Sequence, residues 1–407
     1  MMTAFIVVLG ALVLGYLLLK ANSLWIYRFF DRARRHDTGA IPKSYEVPRY
    51  STLKPSGEVD PSGRWPGWDG WYFFVLPDDR QIPIKMVRAS LMTGLYGLQG
   101  IDTYEKLPRG LSAFDVVEYL ILAATEETSG GGVERVNRFA QYYLHKGSSL
   151  TLHPQELEVA VAITSGPGAG AGPYGKIQGV WPHYQFQFSN PETGIRLDLT
   201  YQGENVIWWA DMPIFTYFAT LGRFAGTITY KGNAGPEAIF DLQGRGGFEH
   251  GFARKPCNFD SFWLPIRWLQ KLIPSLRPMR YHYELFVGDE SHQGGFMHVR
   301  AFGINWRNRG GLFVSGSYRE LHNVQVEYLD DPEPDLMPIG PGLPPVKFYR
   351  SWKIKAETDE GRLEYVGLRE WPPARIASNM IYYNFSYAGT YQGERISGRG
   401  YGEYVHM

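Results

Sequence analysis

Short apolar segments typical of β-strands recur along most of the chain. Residues 68–89 read WDGWYFFVLPDDRQIPIKMVRA, in which two β-rich runs flank the turn signal Pro77-Asp78-Asp79. We therefore expect a pair of antiparallel strands there. Alternation or β-branched and aromatic composition predicts further strands at 158–164, 184–188, 196–201, 226–230 and 238–243.

Two regions have helical rather than strand spacing. After the capping-box-like Ser112-Ala113-Phe114-Asp115, apolar residues recur at intervals of three and four. We expect this helix, and a second one at 133–145, to form a helical insertion at 112–146. Another helix is predicted at 259–276. The residues that carry the first pattern are Phe114, Val117, Leu120 and Ile121.

The N-terminus has the pattern of a membrane anchor. Residues 4–19 form an uninterrupted apolar run, near the short end of what spans a bilayer as a helix. A cleavable signal peptide is the alternative, but no basic segment precedes the run. Basic residues follow it instead, which favours a cytoplasmic location for the rest of the chain. We expect an anchor at 1–30 and a linker rich in Pro, Gly and Ser at 31–67.

An internal repeat indicates how the strands are organised. Gly244-Arg245-Gly246-Gly247-Phe248-Glu249-His250 resembles the C-terminal Gly398-Arg399-Gly400-Tyr401-Gly402-Glu403-Tyr404. The strand openings at 72–79 and 283–290 also match. We therefore predict a mainly β protein with two tandem antiparallel barrels, at 68–258 and 279–407, joined by the helix at 259–278.

Composition and charge exclude several classes of function. The chain has 407 residues, 44% apolar and 15% aromatic, and its 41 basic residues balance its 41 acidic ones, so no net field attracts nucleic acid. The single Cys257 and the scattered histidines give no metal-binding spacing. The loop from Gly170 to Lys176 has the spacing of a phosphate loop but lacks the following Ser or Thr. We expect no metal and no cofactor, and the aromatic residues fill either cores or a ligand cavity.

The differences between the two repeats indicate the chemistry. Glu249 and Glu403 recur, so both are expected to be structural and to bind backbone donors or an arginine such as Arg245 or Arg399. His250 is specific to the first copy, where the second has Tyr404. A histidine can transfer a proton near neutral pH, which suits hydration or isomerisation of an alkene. The alternative is a hydrogen-bonded core histidine.

Glu284 is the second candidate, because it occupies the place of Phe73 in the first repeat. Tyr281, His282 and Tyr283 surround it along the chain. Apolar surroundings disfavour the charged form of a carboxyl group, which would suit a general acid acting on a double bond. The alternative is a solvent-facing strand residue.

These motifs resemble those of a known superfamily. Trp71-Tyr72-Phe73, the phrase at 244–250 and the phrase at 397–404 are similar to those of lipocalin-like AttH-type proteins, which include carotenoid 1,2-hydratases, kievitone hydratase and fungal Diels–Alderases. The resemblance implies two lipocalin-like barrels. It also implies His250 and Glu284 as catalytic residues. We expect the substrate site to be lined by Trp71, Tyr72, Phe252, Tyr281, His282 and Tyr283.

The chain departs from the carotenoid hydratases in two of these motifs. Glu249-His250-Gly251-Phe252 stands where that family has Asp-His-Asn-Trp, and Glu284 stands where it has an aspartate near a tyrosine. We therefore expect a membrane-anchored enzyme that hydrates, isomerises or cyclises a polyene, terpenoid or acyl substrate. A non-catalytic lipid-binding or transfer protein and a structural interaction module are the alternatives, and no feature indicates an oligomeric state.

Overall fold

The computed structural model describes the greater part of the chain beyond residue 66. The described residues are 10, 14, 33–34, 67–82, 84–93, 115–123, 128–129, 132–133, 140–145, 148–152, 157–162, 174–190, 195–211, 215–231, 237–254, 279–288, 291–301, 304–331, 348–370, 374–377 and 380–406. No helix within these ranges combines the length and the hydropathy needed to cross a membrane. The predicted anchor, apart from the helical Gly10 and Leu14, and the predicted helix at 259–276 lie outside the described residues.

The strands before residue 255 belong mainly to one large sheet. They are β1 (Ala33–Arg34), β2 (Gly67–Pro77), β3 (Ile84–Thr93), β4 (Asp115–Ala123), β5 (Thr128–Ser129), β6 (Gly132–Val133), β7 (Ala140–His145), β8 (Ser148–Leu152), β9 (Leu157–Ala162), β10 (Tyr174–Val180), β11 (His183–Asn190), β12 (Ile195–Asp211), β13 (Phe215–Lys231) and β14 (Glu237–Arg254).

This first sheet has twelve antiparallel strands in the order β7-β4-β3-β2-β14-β13-β12-β11-β10-β9-β8, with β1 paired to β12, and β5 and β6 form a separate hairpin. No pairing between described residues joins β7 to β8, so the sheet is open where the sequence predicts a closed barrel.

The strands after residue 278 form a second sheet. They are β15 (Met279–Gly288), β16 (His292–Ala301), β17 (Ile304–Val314), β18 (Ser317–Tyr328), β19 (Ser351–Thr358), β20 (Gly361–Arg369), β21 (Ala374–Ala377), β22 (Met380–Tyr391) and β23 (Glu394–His406). Pairing of β20 with β22 closes the sheet into a barrel, and of these described strands only β21 lies outside the ring. The prediction of a closed antiparallel barrel is therefore confirmed for this half.

Most of the predicted strands are confirmed. The two runs around Pro77-Asp78-Asp79 are β2 and β3, which pair in antiparallel register from Asp69–Thr93 to Val75–Val87. The strands expected from alternation further along the chain correspond to β9, β11, β12, β13 and β14.

The helical insertion predicted at 112–146 is not confirmed. The structure has β4 and β7 there, paired with each other, and β4 also pairs with β3. The run DVVEYLILA contains β-branched and aromatic residues that favour a strand. In a run of nine mostly apolar residues, the apolar positions fit both the period of a helix and the period of a strand. Spacing alone could therefore not decide between the two.

The internal repeat is confirmed in the strand register. Trp71 pairs with His250 in the first sheet, and at the equivalent positions His282 pairs with Tyr404 in the second. The equivalent residues Phe73 and Glu284 are both fully buried, on β2 and β15. The two copies therefore hold different side chains at equivalent places, and an imidazole lies beside an aromatic ring in both.

Both faces of β2 and of β15 are buried, because the two sheets pack together. Phe73 faces the aromatic interior of the first sheet, where its ring centroid lies 4.5 Å from that of Phe186, while Phe74 stacks at 4.6 Å on Tyr401 of the second sheet. We call the apolar residues between the sheets the interface cluster. They are Phe74, Leu76, Met86, Ile207, Ala219, Leu221, Tyr283, Leu285, Val287, Phe313, Tyr382 and Tyr401.

Candidate functional site

Strand β15 carries two polar residues into the interior of the closed barrel. Successive residues of a strand point to opposite faces, so His282, Glu284 and Phe286 share one face while Tyr283 and Leu285 face the first sheet. His282 and Glu284 are both fully buried. The site is thus built from consecutive inward-facing positions on a single strand.

Three side chains hydrogen-bond to the carboxyl group of Glu284. His282 Nε2 lies 2.7 Å from Oε1, Tyr383 Oη donates to Oε1 at 3.2 Å, and Tyr365 Oη donates to Oε2 at 2.5 Å. A carboxylate removed from water requires such donors, because an unpaired buried charge costs several kcal/mol. We call Glu284, His282, Tyr328, Tyr365 and Tyr383 the site network.

The second nitrogen of His282 also has a partner within the network. Nδ1 lies 3.2 Å from Tyr328 Oη, and Tyr383 Oη lies 3.0 Å from Nε2. A neutral imidazole with its proton on Nε2 donates to Glu284 and accepts from Tyr328, so it satisfies both nitrogens. The network therefore forms a chain of hydrogen bonds from Tyr328 through His282 and Glu284 to Tyr365.

The tyrosine hydroxyls of the network are held in their neutral form. Burial raises the pKa of Tyr365 and of Tyr383 well above the usual value, and the charge of Glu284 raises both further. Burial also raises the pKa of Tyr328 well above its usual value. These hydroxyls therefore remain proton donors to the carboxylate rather than acids that titrate near neutral pH.

Aromatic rings enclose the His282 imidazole. The rings of Phe296 and Trp352 have centroids 5.8 Å from it, and those of Tyr404 and Tyr383 lie at 6.1 and 6.2 Å. Aromatic faces carry negative electrostatic potential, so they favour a cation that forms nearby. His282 thus lies among four aromatic rings, one stacked and three in edge geometry.

Basic residues occupy the end of the barrel where β15 begins and β16 ends. Arg280 is the cross-strand partner of Arg300, and His282 is the partner of His298. Burial lowers the pKa of His298, and the nearby His282, Arg300 and Arg280 add to this effect, which together bring the pKa to about 4. We call Arg280, His298 and Arg300 the basic end.

The structure places His250 away from Glu284. His250 lies on β14, where its ring stacks on that of Trp71 with centroids 4.9 Å apart and an interplanar angle of 4°. Both residues are buried with the aromatic interior of the first sheet, while Glu284 lies inside the second barrel. The two residues predicted to be catalytic are therefore not brought together, and the imidazole beside Glu284 is that of His282.

Three of the remaining predicted lining residues, Tyr72, Tyr281 and Tyr283, lie at the interface of the two sheets. Tyr283 belongs to the interface cluster, and its ring centroid lies 6.2 Å from that of Tyr281. The ring of Tyr72 has its centroid 5.5 Å from the guanidinium carbon of Arg88. Phe252 pairs with Asp69 on β2. Of the lining residues predicted from sequence, His282 is the one in direct hydrogen-bond contact with Glu284.

Glu403 has a different arginine partner from the one predicted. Its Oε1 lies 3.6 Å from Arg88 Nη2 and accepts a hydrogen bond from Tyr401 Oη at 2.5 Å. Arg399 instead forms an ion pair with Glu370, in which Nε lies 3.4 Å from Oε2. Glu249, at the equivalent position of the first copy, is also buried.

Sequence reasoning did not find the three tyrosines of the site network. Tyr328, Tyr365 and Tyr383 come from β18, β20 and β22, between 46 and 101 residues from the groups they bond. Alternation shows that Tyr365 lies on a buried face of β20. The sequence pattern within β20 does not show which strands pair with one another, and this strand order is what brings the buried face of β20 to Glu284.

The described residues do not group three His, Cys, Asp or Glu side chains in a way that could hold a metal ion.

Comparisons with known proteins identify structural similarity only. No protein-family model matches the chain, and no curated protein matches it. The structure is similar to that of kievitone hydratase from Nectria haematococca, with 10% sequence identity, a TM-score of 0.45 and coverage of 89% of this chain and 96% of the hydratase. A loop L8 deletion mutant of OmpT, an outer membrane protein of Vibrio cholerae, matches with 10% identity, a TM-score of 0.14 and coverage of 84% and 97%.

Proposed function

We propose that this chain is an acid–base enzyme that transfers a proton to a carbon–carbon double bond of an apolar substrate. Glu284 is the proton donor and His282 is its partner. The observation that carries the proposal is the fully buried Glu284, bonded to an imidazole and two tyrosine hydroxyls inside an aromatic barrel. Ionisable groups held in this way are concentrated at functional sites.

The geometry supports a defined sequence of steps for hydration. In the form that reacts, Glu284 has taken up a proton, and its carboxyl group delivers that proton to one carbon of the alkene while a carbocation forms at the other. The carboxylate that remains is stabilised by His282 Nε2–H and by the hydroxyls of Tyr365 and Tyr383. A water molecule then adds to the cation, and its proton returns to the carboxylate, which restores the acid.

Isomerisation and cyclisation share the first of these steps. Loss of a different proton from the cation to the Glu284 carboxylate moves the double bond. Attack by a second double bond closes a ring and forms a new cation, which then loses a proton to the same carboxylate. The substrate classes that suit the aromatic site are polyenes, terpenoids and unsaturated acyl compounds, in agreement with the superfamily that the sequence motifs resemble. In our proposal the N-terminal apolar segment anchors the enzyme to a membrane that supplies the substrate, with the barrel on the cytoplasmic side.

Deuterium incorporation tests the proton-transfer step whichever product the enzyme forms. The full-length protein would be incubated in deuterium oxide with a panel of isoprenoid alkenes and unsaturated fatty acids. Mass spectrometry would then detect deuterium in recovered substrate and in water adducts. Glu284→Gln keeps the shape of the side chain but removes the acid, so we expect incorporation to fall at least ~100-fold.

Two further variants separate the possible roles. His250→Ala is expected to retain incorporation, because the His250 ring stacks on Trp71 in the first sheet rather than on the site network. His282→Gln is expected to reduce it, because it removes the imidazole from Glu284. Full activity of Glu284→Gln would rule out the proposal. Stoichiometric binding of a probe by wild type with no deuterium incorporation would instead favour a non-catalytic binding protein.

A further inference from the structure

The basic end of the second barrel contains cationic side chains that no carboxylate of the described residues neutralises. Arg280 and Arg300 are direct cross-strand partners on β15 and β16. Side chains at such positions have Cβ atoms only ~4.5–5.5 Å apart, and like charges there destabilise the sheet. Within the described part of the chain, neither guanidinium forms an ion pair. The strand register therefore places two arginines side by side, with Arg300 exposed to solvent.

The same end contains a polar atom that lacks a hydrogen-bond partner among the described residues. His298 Nδ1 is buried and unbonded, and His298 is the cross-strand partner of the site residue His282. Arg280 lies two residues before His282, and its guanidinium carbon is 5.3 Å from the centroid of the Tyr328 ring. Tyr328 in turn hydrogen-bonds to His282. The basic end thus adjoins the site network directly.

We infer that the basic end binds the anionic head group of the substrate, a carboxylate or a phosphate, while the apolar tail extends to Glu284. This inference rests on the proposed function, since it assigns a substrate class to the same site. Guanidinium groups pair well with both oxyanions, often through two parallel hydrogen bonds. His298 Nδ1 can join them as a donor once an anion favours protonation of the imidazole.

The spacing along β15 also selects which double bond reacts. Arg280 and Glu284 are four residues apart, which corresponds to ~13 Å along an extended strand. A double bond conjugated to the head group would be held near Arg280. A double bond further along the tail reaches Glu284, so the reactive position is remote from the charged group.

Binding measurements with matched head groups test this inference. The probes are farnesoic acid, farnesyl monophosphate and farnesol, which share one tail and differ in charge. Their affinities for full-length wild type, Arg280→Gln and Arg300→Gln would be measured by isothermal titration calorimetry. The matched control is Arg395→Gln, because Arg395 is exposed at the start of β23, at the opposite end of the barrel.

We expect the acid or the phosphate to bind wild type more tightly than the alcohol. Each variant at the basic end should weaken anion binding about tenfold, because it removes one charge-assisted hydrogen bond. Farnesol binding should stay unchanged. Arg395→Gln should change nothing. Preference for one anion over the other would identify the head group.

Equal wild-type affinity for all three probes, equal losses in Arg280→Gln and Arg395→Gln, or no binding of either anion would overturn the inference. None of these results depends on turnover. Deuterium incorporation into neutral alkenes would still report on Glu284, so the proposed function can stand when the head-group inference falls.

Discussion

The carboxyl group of Glu284 shows how one buried residue depends on its neighbours. A carboxylate transferred out of water loses several kcal/mol of solvation, and only well-placed donors restore it. His282, Tyr365 and Tyr383 supply those donors here. Each donor therefore contributes to stability as well as to the chemistry proposed for the site.

Tyr365→Phe tests the contribution of one donor. The change removes the hydroxyl that lies 2.5 Å from Glu284 Oε2 and leaves the ring in place. We expect the free energy of unfolding to fall by about 1.5–3 kcal/mol, as for hydrogen bonds to charged groups. Urea denaturation monitored by tryptophan fluorescence measures it.

Tyr391→Phe is the matched control for this variant. Tyr391 is a buried tyrosine of the same barrel, and its hydroxyl bonds at 3.1 Å to the neutral Thr358. The free energy of unfolding of Tyr391→Phe should fall by only about 1 kcal/mol. Equal losses in both variants would show that Tyr365 does not support a charged group.

Strand periodicity accounts for the part of the site that the sequence could predict. Glu284 stands out because the repeat aligns it with Phe73, and residues two apart on a strand share a face, which brings His282 beside it. The association of Glu284 with His250 required the two halves to share one cavity. No local pattern contains that information, because it depends on which face of each sheet meets the other.

At the scale of elements, β2 and β15 differ from ordinary half-buried strands. Both faces of each strand are covered, one by the interior of its own sheet and one by the opposite sheet. Their sequences are accordingly apolar at consecutive positions, as in WYFFVLP, and alternation is lost. The sequence of β4, DVVEYLILA, is also apolar at consecutive positions, and an apolar run fits the helical and the strand period at once.

Close approach of two strands from different sheets gives a prediction at this scale. A Cβ atom at Gly311 on β17 would lie 2.1 Å from the carbonyl oxygen of Ile207 on β12. Gly311→Ala must therefore push the sheets apart, and we expect a loss of about 1–3 kcal/mol in the free energy of unfolding. Urea denaturation measures it.

Gly361→Ala provides the corresponding control. The three atoms nearest to an added methyl group there belong to the side chain of Gln392, which is exposed and can turn into solvent, whereas the nearest atom to Gly311 is a backbone oxygen of the opposite sheet. Its free energy of unfolding should stay within about 0.5 kcal/mol of wild type, as for most surface changes. A loss as large as that of Gly311→Ala would contradict a specific effect at the interface.

For the whole molecule, a polar group reinforces the apolar contact between the two sheets. Arg88 on β3 is almost completely buried, and it donates to the hydroxyls of Tyr401 and Tyr382 at 2.7 and 3.0 Å. Its Nη2 also lies 3.6 Å from Glu403 Oε1, and its guanidinium carbon lies 3.9 Å from the centroid of the Tyr382 ring. One residue of the first sheet thus binds β22 and β23 of the second.

Arg88→Met tests whether this group holds the two halves together. The change leaves Glu403 and the two hydroxyls without their cation in a poorly solvated place. We expect the free energy of unfolding to fall by about 3–5 kcal/mol, the usual result of removing one partner of a buried pair. Guanidinium denaturation monitored by circular dichroism and by fluorescence measures it.

Arg362→Met is the control, because Arg362 forms an ion pair of 2.9 Å with Glu364 but is 57% exposed. Surface pairs contribute at most about 1 kcal/mol. If Arg88→Met cost no more than Arg362→Met, the apolar interface cluster alone would account for the association of the sheets.

The exchange of imidazole and aromatic ring between the two halves records how they have diverged. Descent from a single ancestral unit by tandem duplication would have left the same residue at each equivalent place. In the first half, the aromatic ring is that of Trp71 on β2 and the imidazole is that of His250 on β14. The barrel has the reverse order, with His282 on β15 and Tyr404 on β23. In the barrel, the acidic residue Glu284 lies two residues from His282 on the same strand. The position equivalent to Glu284 in the first half is occupied by Phe73. The two halves thus hold different side chains at equivalent places, and under the proposed function only the barrel would carry the reactive group.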